Sequence, residues 1–450
     1  MLDSMGVLSH YSLHKIIRKL QNKGPQDFIY FQEYQQLTNG LHFLKKVFES
    51  DLNIPSFDRF ARNFKECAHY VKKSEEYSHG KTAQYIPTLK NFNPSYFSAS
   101  FCSNNGQYIE YGDTQVTFSI QSISKIVSYG YLYDLIGEEV HQYIGEEPSG
   151  MPFNAPVFDQ KGRPHNPMIN SGAIMVAALL LEHGKTLEDI LEFYQRATRK
   201  DLCKQKIQID HKLYLEEKLT GYTNHALSYL MLANGVFPKK DKNIEQMKEF
   251  AQQALDLYFQ MCSIIINVES LTRFGTMCSN NGINPSTGER ILKPESVKAI
   301  TTFMLTCGMY NGAGKFTKNL GIPCKSGVSG GLLTIIPGLG SFASFGPKLN
   351  EEGNSIRGIG LIKQISNIYN NFNLFHKDLN KKDCENKAFQ TIIKYIIGSI
   401  SCASIGDMEG IIRLKNFNIQ LNQGDYDKRT PLHLAASGGH IEIVGSNTFK

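Results

Sequence analysis

The stretch Phe118-Ser119-Ile120-Gln121-Ser122-Ile123-Ser124-Lys125-Ile126-Val127-Ser128-Tyr129 decides how the rest of the chain is read. Val116, Phe118 and Ile120 alternate as in a strand, and a serine with a lysine three residues later then opens a helical pattern. Positions three apart on a helix are neighbours, so the Lys125 amine can reach the Ser122 hydroxyl and take its proton. That is the Ser-x-x-Lys arrangement of acyl-transferring serine enzymes. The spacing recurs at Ser12 with Lys15 and at Ser78 with Lys81, in contexts without chemical company, so it identifies nothing alone. Ser122 stands out through the polar Gln121 before it, the apolar strand leading in, and Lys325-Ser326-Gly327 far downstream.

A chain of 450 residues, 41% hydrophobic and 20% charged, predicts two or three globular domains with a large core. The net charge of +6 comes without a dense Lys/Arg stripe or interleaved aromatics, which speaks against nucleic-acid binding. Nine cysteines stand singly, with no Cys-x-x-Cys and no His/Cys cluster, which points to buried free thiols and away from a disulfide framework or a zinc site. The longest apolar run, residues 173–181, is too short to cross a bilayer. The start, Met1-Leu2-Asp3-Ser4, carries neither a signal-peptide core nor an Arg-rich presequence, so the expectation is a cytosolic protein or a chain lacking its natural start.

Residues 1–88 read as helices, with Ile16, Ile17 and Leu20 and then Leu41, Phe43, Leu44 and Phe48 at helical spacing; a packing or oligomerisation module is expected there. Period two takes over at residues 96–101 and 107–111 around an Asn104-Asn105-Gly106 turn, a hairpin. The loop 151–163 is a candidate lid or partner contact. Asn170 precedes a buried helix at 174–181, and capping that helix or facing a ligand are both open to it. Glu217 and Asn224, two turns apart in a helical stretch from 187 to 233, mark either a solvated face or a site. Tyr258 sits among apolar residues of a helix at 244–265, and a core tyrosine is its plain reading. A helix at 294–307, a glycine-rich loop carrying Tyr310, strands at 332–337 and 341–345 and a last helix at 359–372 complete an α/β layout with a helical insertion.

Gly327-Val328-Ser329-Gly330-Gly331 mimics a hydrolase nucleophile elbow, but that elbow needs strand, turn and helix, and a β-rich run follows here. Gly338-Leu339-Gly340 likewise lacks the helix a dinucleotide loop opens. Near the end, Thr430-Pro431-Leu432-His433-Leu434-Ala435-Ala436 and Gly439-His440-Ile441-Glu442-Ile443-Val444 match an ankyrin repeat, with a looser copy around 406–414. His433 and His440 belong to that repeat's packing rather than to a metal.

Taken in order, Gln121-Ser122 with Lys125, Glu146 to Gly150, His165 to Ala173, Glu217 with Asn224, Tyr258-Phe259-Gln260, Cys307 to Tyr310 and Lys325 to Gly331 resemble the serine-dependent glutaminases. The helical front and ankyrin tail resemble the kidney and liver-type animal enzymes. The resemblance implies a β-lactamase-like catalytic domain at 89–375, after an N-terminal helical region at 1–88 and before a linker and partial ankyrin region at 376–450. It implies hydrolysis of L-glutamine to L-glutamate and ammonia, with Ser122 as nucleophile, Lys125 as base and Tyr310 relaying protons. Asn170, Glu217, Asn224 and Tyr258 would hold the amino-acid end of the substrate, Tyr85 would line the pocket, and the Val328 and Ser122 amides would receive the oxyanion. No metal or organic cofactor is implied; phosphate is implied as an activator, a homo-oligomer (dimer or tetramer) as the assembly, a protein as the ankyrin partner and the mitochondrion as the location. The loop Asn154-Ala155-Pro156-Val157-Phe158 departs from the family's more basic and bulky sequence, on which phosphate-promoted assembly depends. The rivals are another Ser-x-x-Lys hydrolase of the penicillin-recognising type and a catalytically silent ankyrin protein.

Overall fold

The computed structural model describes Tyr30 and residues 52–54, 56–198, 207–238, 242–369, 372–375, 398–416 and 429–446. The helices expected around 16–20 and 41–48, the Ser12–Lys15 pair and the charged linker at 377–387 lie outside the described residues. The chain divides into two units, Met1–His376 and Lys377–Lys450.

In the first unit, helix α1 (Phe57–Lys73) is followed by the short turn α2 (Pro87–Lys90) and strands β1 (Ser98–Ser103), β2 (Tyr108–Gly112) and β3 (Phe118–Ser119). A helical half comes next: α3 (Ser124–Ile136), α4 (Asn170–Glu182), α5 (Leu187–Thr198), β4 (Gln208–Ile209), α6 (His211–Thr220), α7 (Tyr222–Ala233), α8 (Ile244–Cys262), β5 (Ile264–Ile266), α9 (Val268–Ser279), α10 (Pro294–Cys307) and α11 (Ala313–Leu320). The chain then returns to the sheet with β6 (Cys324–Ser326), β7 (Gly331–Ile336) and β8 (Gly340–Phe345), and ends the unit with α12 (Ile356–Ile368). The five-stranded antiparallel sheet has the order β2-β1-β8-β7-β6, so the first and last parts of the unit pair and the helical half is inserted between them.

Strand alternation sorts the core. Leu333, Ile335, Ala343 and Phe345 join α9 and the helical half on one face, while Leu332, Ile336 and Phe342 join α1 and α12 on the other. α1 presents Phe57, Phe60, Phe64, Ala68 and Val71 as one stripe, and Phe60 lies 4.7 Å from Phe101. α1, within the expected N-terminal region at 1–88, is thus part of the sheet's packing. α9 sits so close to the sheet that a Cβ on Gly275 would lie 2.7 Å from Leu333 Cδ1 and 2.8 Å from Ser341 Cβ.

A second, three-stranded sheet, β3-β5-β4, does the positioning that function requires. Phe118 and Ser119 pair with Ile266 and Ile265, and the Ile120 amide donates to the Ile264 carbonyl at 2.8 Å. Because β5 follows directly on α8, this pairing brings the end of α8, with Tyr258 and Cys262, against residues 121–124. One expectation shifts here. The helix at 244–265 ends at Cys262, where three β-branched residues, Ile264 to Ile266, pair as a strand. Among the described residues, the mostly helical stretch from 187 to 233 comprises three helices and a short strand, with a break at Gly221. The elbow-like glycines 327–331 form the turn between β6 and β7, a hairpin with no helix after it.

The second unit contains α13 (Met408–Asn416), α14 (Pro431–Ser437) and α15 (Ile441–Val444), with Ala403, Ile411, Ala435 and Ile443 as its core. Thr430 caps α14 reciprocally with His433, so that histidine is engaged in a helix start.

Candidate active site

Ser122 lies in a one-turn 3-10 segment, Gln121–Ile123, that joins β3 to α3. The apolar residues on either side, Ile120, Ile123 and Ile126, are fully buried and seat the turn. Gln121 pays for its position with a φ of 46°, a left-handed conformation that a residue with a Cβ adopts at a cost. Its side chain is buried too, with Nε2 donating to Glu217 Oε2 at 3.0 Å and to the Cys262 carbonyl at 3.4 Å. The serine and lysine face one another: Lys125 Nζ donates to Ser122 Oγ at 3.3 Å and to Asn170 Oδ1 at 2.7 Å. Asn170 Nδ2 in turn donates to Asn224 Oδ1 at 2.8 Å. Asn170 is the first residue of α4 and makes no capping bond, which resolves its two readings against the cap.

Glu217 and Asn224 do not share a helix, as their spacing suggested; Glu217 is on α6 and Asn224 on α7, and the break at Gly221 turns both inward. Both are buried, so the solvated-face reading is excluded. Tyr258 is buried beside Cys262, Glu217 and Tyr85. Tyr310 sits at the start of a second short 3-10 segment, Tyr310–Gly312, at a φ of 51°, and its hydroxyl donates to the Ser326 carbonyl at 3.0 Å with Ser122 beside it. Val328 is buried in the β6–β7 turn and clusters with Tyr310, Ile86 and Leu213. That turn abuts the serine segment: a Cβ on Gly327 would lie 2.7 Å from the Ile120 carbonyl oxygen. Tyr85 is the outermost member. Its residue is 52% exposed, yet its hydroxyl end is enclosed and held protonated, first by burial and then by Glu217 and Tyr310.

The electrostatics follow from this burial. Desolvation pulls the Lys125 amine down to about 8, against smaller upward pulls from Cys262 and Glu217. It pushes the Glu217 carboxyl up to about 7, with the Gln121 hydrogen bond and Lys125 opposing. Burial also raises Tyr310 and Tyr258 above the ordinary phenol range and the Cys262 thiol to about 12. The pocket thus holds a lysine that loses its proton near neutrality, opposite a carboxyl that ionises near neutrality.

Three neighbours were given no site role in the sequence reading, although Gln121 and Lys325 mark its motifs and Phe153 lies in its candidate lid. Lys325, fully buried on β6, donates to the Ser326 carbonyl at 2.8 Å and lies 4.8 Å from the Tyr310 ring centre. Burial and then the Lys125 charge pull its amine well down. Phe153, from the long loop, lies 4.8 Å from the Tyr310 ring and 5.6 Å from Lys125 Nζ, and its carbonyl accepts from the Asn170 amide. Gln121 is the third. A lysine inside an apolar strand and a glutamine after Ile120 were the available signals. The loop's phenylalanine gave none.

Volume points elsewhere. A groove of about 690 Å³ beside α7 and α8 contains none of the nine predicted residues, while a pocket of about 330 Å³ abuts Phe153 and Tyr310. Among the described residues, Glu138, His141 and Glu146 place ligand atoms within 4.8 Å of one another, but both imidazole nitrogens are taken, by Tyr129 and the Ile144 carbonyl. No described helix is long and apolar enough to cross a membrane.

Known proteins resemble this chain over much of its length. The glutaminase family model matches residues 80–375. The mitochondrial liver isoform of glutaminase from Rattus norvegicus is 31% identical over 96% of this chain and 70% of its own length. A glutaminase from a Nostoc strain is 39% identical over 65% of this chain and 85% of its own. The solved glutamate form of Mglu superposes with a TM-score of 0.62 at 28% identity, covering 71% of this chain and 70% of that one. Against the animal relatives, this chain spans about two thirds of their length, from 66% to 70%.

Proposed function

This chain belongs to the glutaminase family, and we propose that it hydrolyses the side-chain amide of L-glutamine through an acyl-enzyme on Ser122. The observation that carries this reading is the buried relay from Ser122 Oγ through Lys125 Nζ to Asn170 Oδ1, at 3.3 and 2.7 Å. A lysine at its ordinary value of about 10.4 would be charged and useless as a base. Burial brings Lys125 near 8, close to working pH, where it can take a proton and give it back.

Ser122 Oγ attacks the amide carbon while its proton passes to Lys125, and the carbonyl oxygen becomes an oxyanion received by the Ser122 and Val328 amides. The carbon–nitrogen bond then breaks, and the leaving nitrogen takes the proton from Lys125, relayed past the Tyr310 hydroxyl, to depart as ammonia. Water adds to the ester with Lys125 again as base, the proton returns to Ser122, and glutamate leaves. At the other end, the Glu217 carboxylate pairs with the substrate ammonium, and the Asn224 amide with the Tyr258 and Tyr85 hydroxyls binds its carboxylate. Asn170 serves both ends: its oxygen orients the base and its nitrogen holds Asn224. Base, acid and oxyanion donors all come from the chain, so the scheme calls for no metal or organic cofactor.

The rat relative is named for the mitochondrion, and we extend that location to this chain as part of the proposal. A homo-oligomer and a protein-binding ankyrin tail belong to it as well; the reciprocal Thr430–His433 cap at the Thr-Pro-Leu-His segment supports the tail. The test is ammonia and glutamate release from purified protein beside Ser122→Ala and Lys125→Ala. Turnover surviving in Ser122→Ala would end the reading, and acylation by a β-lactam in place of glutamine turnover would move it to the penicillin-recognising hydrolases.

A further inference from the structure

Two consecutive glutamates on α6 face different partners. Glu217 is buried and accepts from Gln121 Nε2 at 3.0 Å, while Glu216 Oε2 accepts from the Thr88 backbone amide at 2.7 Å, across 128 residues of sequence. Its carboxylate is largely covered, and the cation near it, Lys212 Nζ at 3.9 Å, is itself mostly exposed. Thr88 lies in the first turn of α2, where backbone amides lack helical partners, and a carboxylate acceptor makes a charge-assisted bond there. The Thr88 hydroxyl has no partner, so the backbone carries this polar tie. Beside it, Ile86 and Leu89 pack on Leu213, one turn before Glu216 on the same face of α6. At its far end the segment is held by Phe92, 5.5 Å from Phe345 of the sheet. The near end carries Tyr85, half exposed and within electrostatic reach of Glu217 and Tyr310.

We propose that Glu216 is a positioning residue for substrate binding: by holding the Thr88 amide it fixes the Tyr85 wall to the helix that presents Glu217. This deepens the glutaminase reading and rests on Tyr85 lining the pocket. One helix then sets both the charge that meets the substrate ammonium and the distance of the wall opposite, with no contact between Glu216 and substrate. Such a residue should act on substrate affinity and leave the chemical step alone.

The experiment is steady-state glutaminase kinetics on the full chain. Glu216→Ala is expected to raise the glutamine KM about five- to tenfold, the scale of one ordinary hydrogen bond acting through a positioned wall, with kcat within about twofold. Glu216→Gln, whose amide oxygen still accepts from Thr88, should restore KM to within about twofold. In a Tyr85→Ala background, Glu216→Ala should add less than about twofold, because the wall it holds is gone. An unchanged KM in Glu216→Ala, a loss confined to kcat, or losses that multiply in the double variant would each overturn the proposal. Should Glu216→Ala fail to fold, Glu216→Asp keeps the charge but falls short of Thr88, and is held to the same criteria. Tyr85→Ala with unaltered KM would sink the pocket-wall reading itself. Raised KM in Tyr85→Ala with normal Glu216→Ala would sink only the tie.

Discussion

On the function proposed above, the two ends of the pocket are built from different materials. The reaction end arrives on tight turns: Gln121 and Tyr310 both hold left-handed backbone, at φ 46° and 51°, and Ser122 and Tyr310 sit in 3-10 segments of three residues each. The recognition end arrives on regular helices, with Glu217, Asn224 and Tyr258 on α6, α7 and α8. Turns can aim a hydroxyl and a backbone amide at one point, which bond-making needs. Helices hold a carboxylate and amides at fixed separation, which suits recognition of an amino-acid end. The difference says that changes at the first end should act on kcat and changes at the second on KM.

Ser122→Ala puts the largest strain on that division. Loss of the nucleophile should cut kcat at least about 10⁴-fold, while glutamate binding measured by calorimetry stays within a few-fold of the parent. A variant that loses affinity along with rate would mean that the two ends are not separable.

Glu217→Gln tests the other end. Removing a buried carboxylate opposite an ammonium should lower kcat/KM roughly 10²-fold, chiefly through KM. It also sharpens the comparison through pH. Glu217 must be ionised and Lys125 neutral in the free enzyme, so with values of about 7 and about 8 kcat/KM should climb as pH rises through both. The variant should lose the lower limb and keep the upper one. Titration of kcat/KM from pH 6 to 9 reads this directly. Tyr310→Phe belongs to the reaction end and should cost about 10- to 100-fold in kcat with KM within about twofold, as measured by ammonia release.

How far all this was legible depends on which physics each feature uses. The sheet was readable because Leu332 to Ile336 and Ser341 to Phe345 are apolar runs, and the serine because strand alternation stops at Ile120. Spacing alone would have misled. Ser78 and Lys81 repeat the motif, yet Ser78 closes a 3-10 turn with its hydroxyl donating to the Glu75 carbonyl at 2.8 Å, and Lys81 is exposed in a bridge to Leu349. The spacing does not separate the two pairs; the apolar strand before Ser122, its burial and the helix after it do. The left-handed residues were beyond reading, since Gln121 and Tyr310 are not residues that favour that conformation and only the surrounding packing imposes it. A cap stayed open for Asn170 because caps are made by local chemistry, whereas its partners, Lys125 and Asn224, come from distant positions. Phe153 was silent for the same reason.

The smallest effect tests the lysine's burial without any substrate. Folding pulls Lys125 from its ordinary 10.5 to about 8, so below pH 8 the native state bears the full cost of an enclosed ammonium. As pH rises from about 8 to 10.5, the native state has released that proton while the unfolded chain still holds it. Stability then increases with pH, because the unfolded state binds more protons. Lys125→Met removes the charge at similar length. Against this gain it leaves Asn170 Oδ1 without the amine that donated to it at 2.7 Å. The balance should favour the variant at pH 7 by about 1–2 kcal/mol, and the advantage should shrink as pH approaches 10. Urea unfolding at the two pH values gives both numbers. A Met variant less stable at pH 7, or an advantage that does not change with pH, would mean that the amine is not held near neutrality by burial. The reaction end would then lack its base.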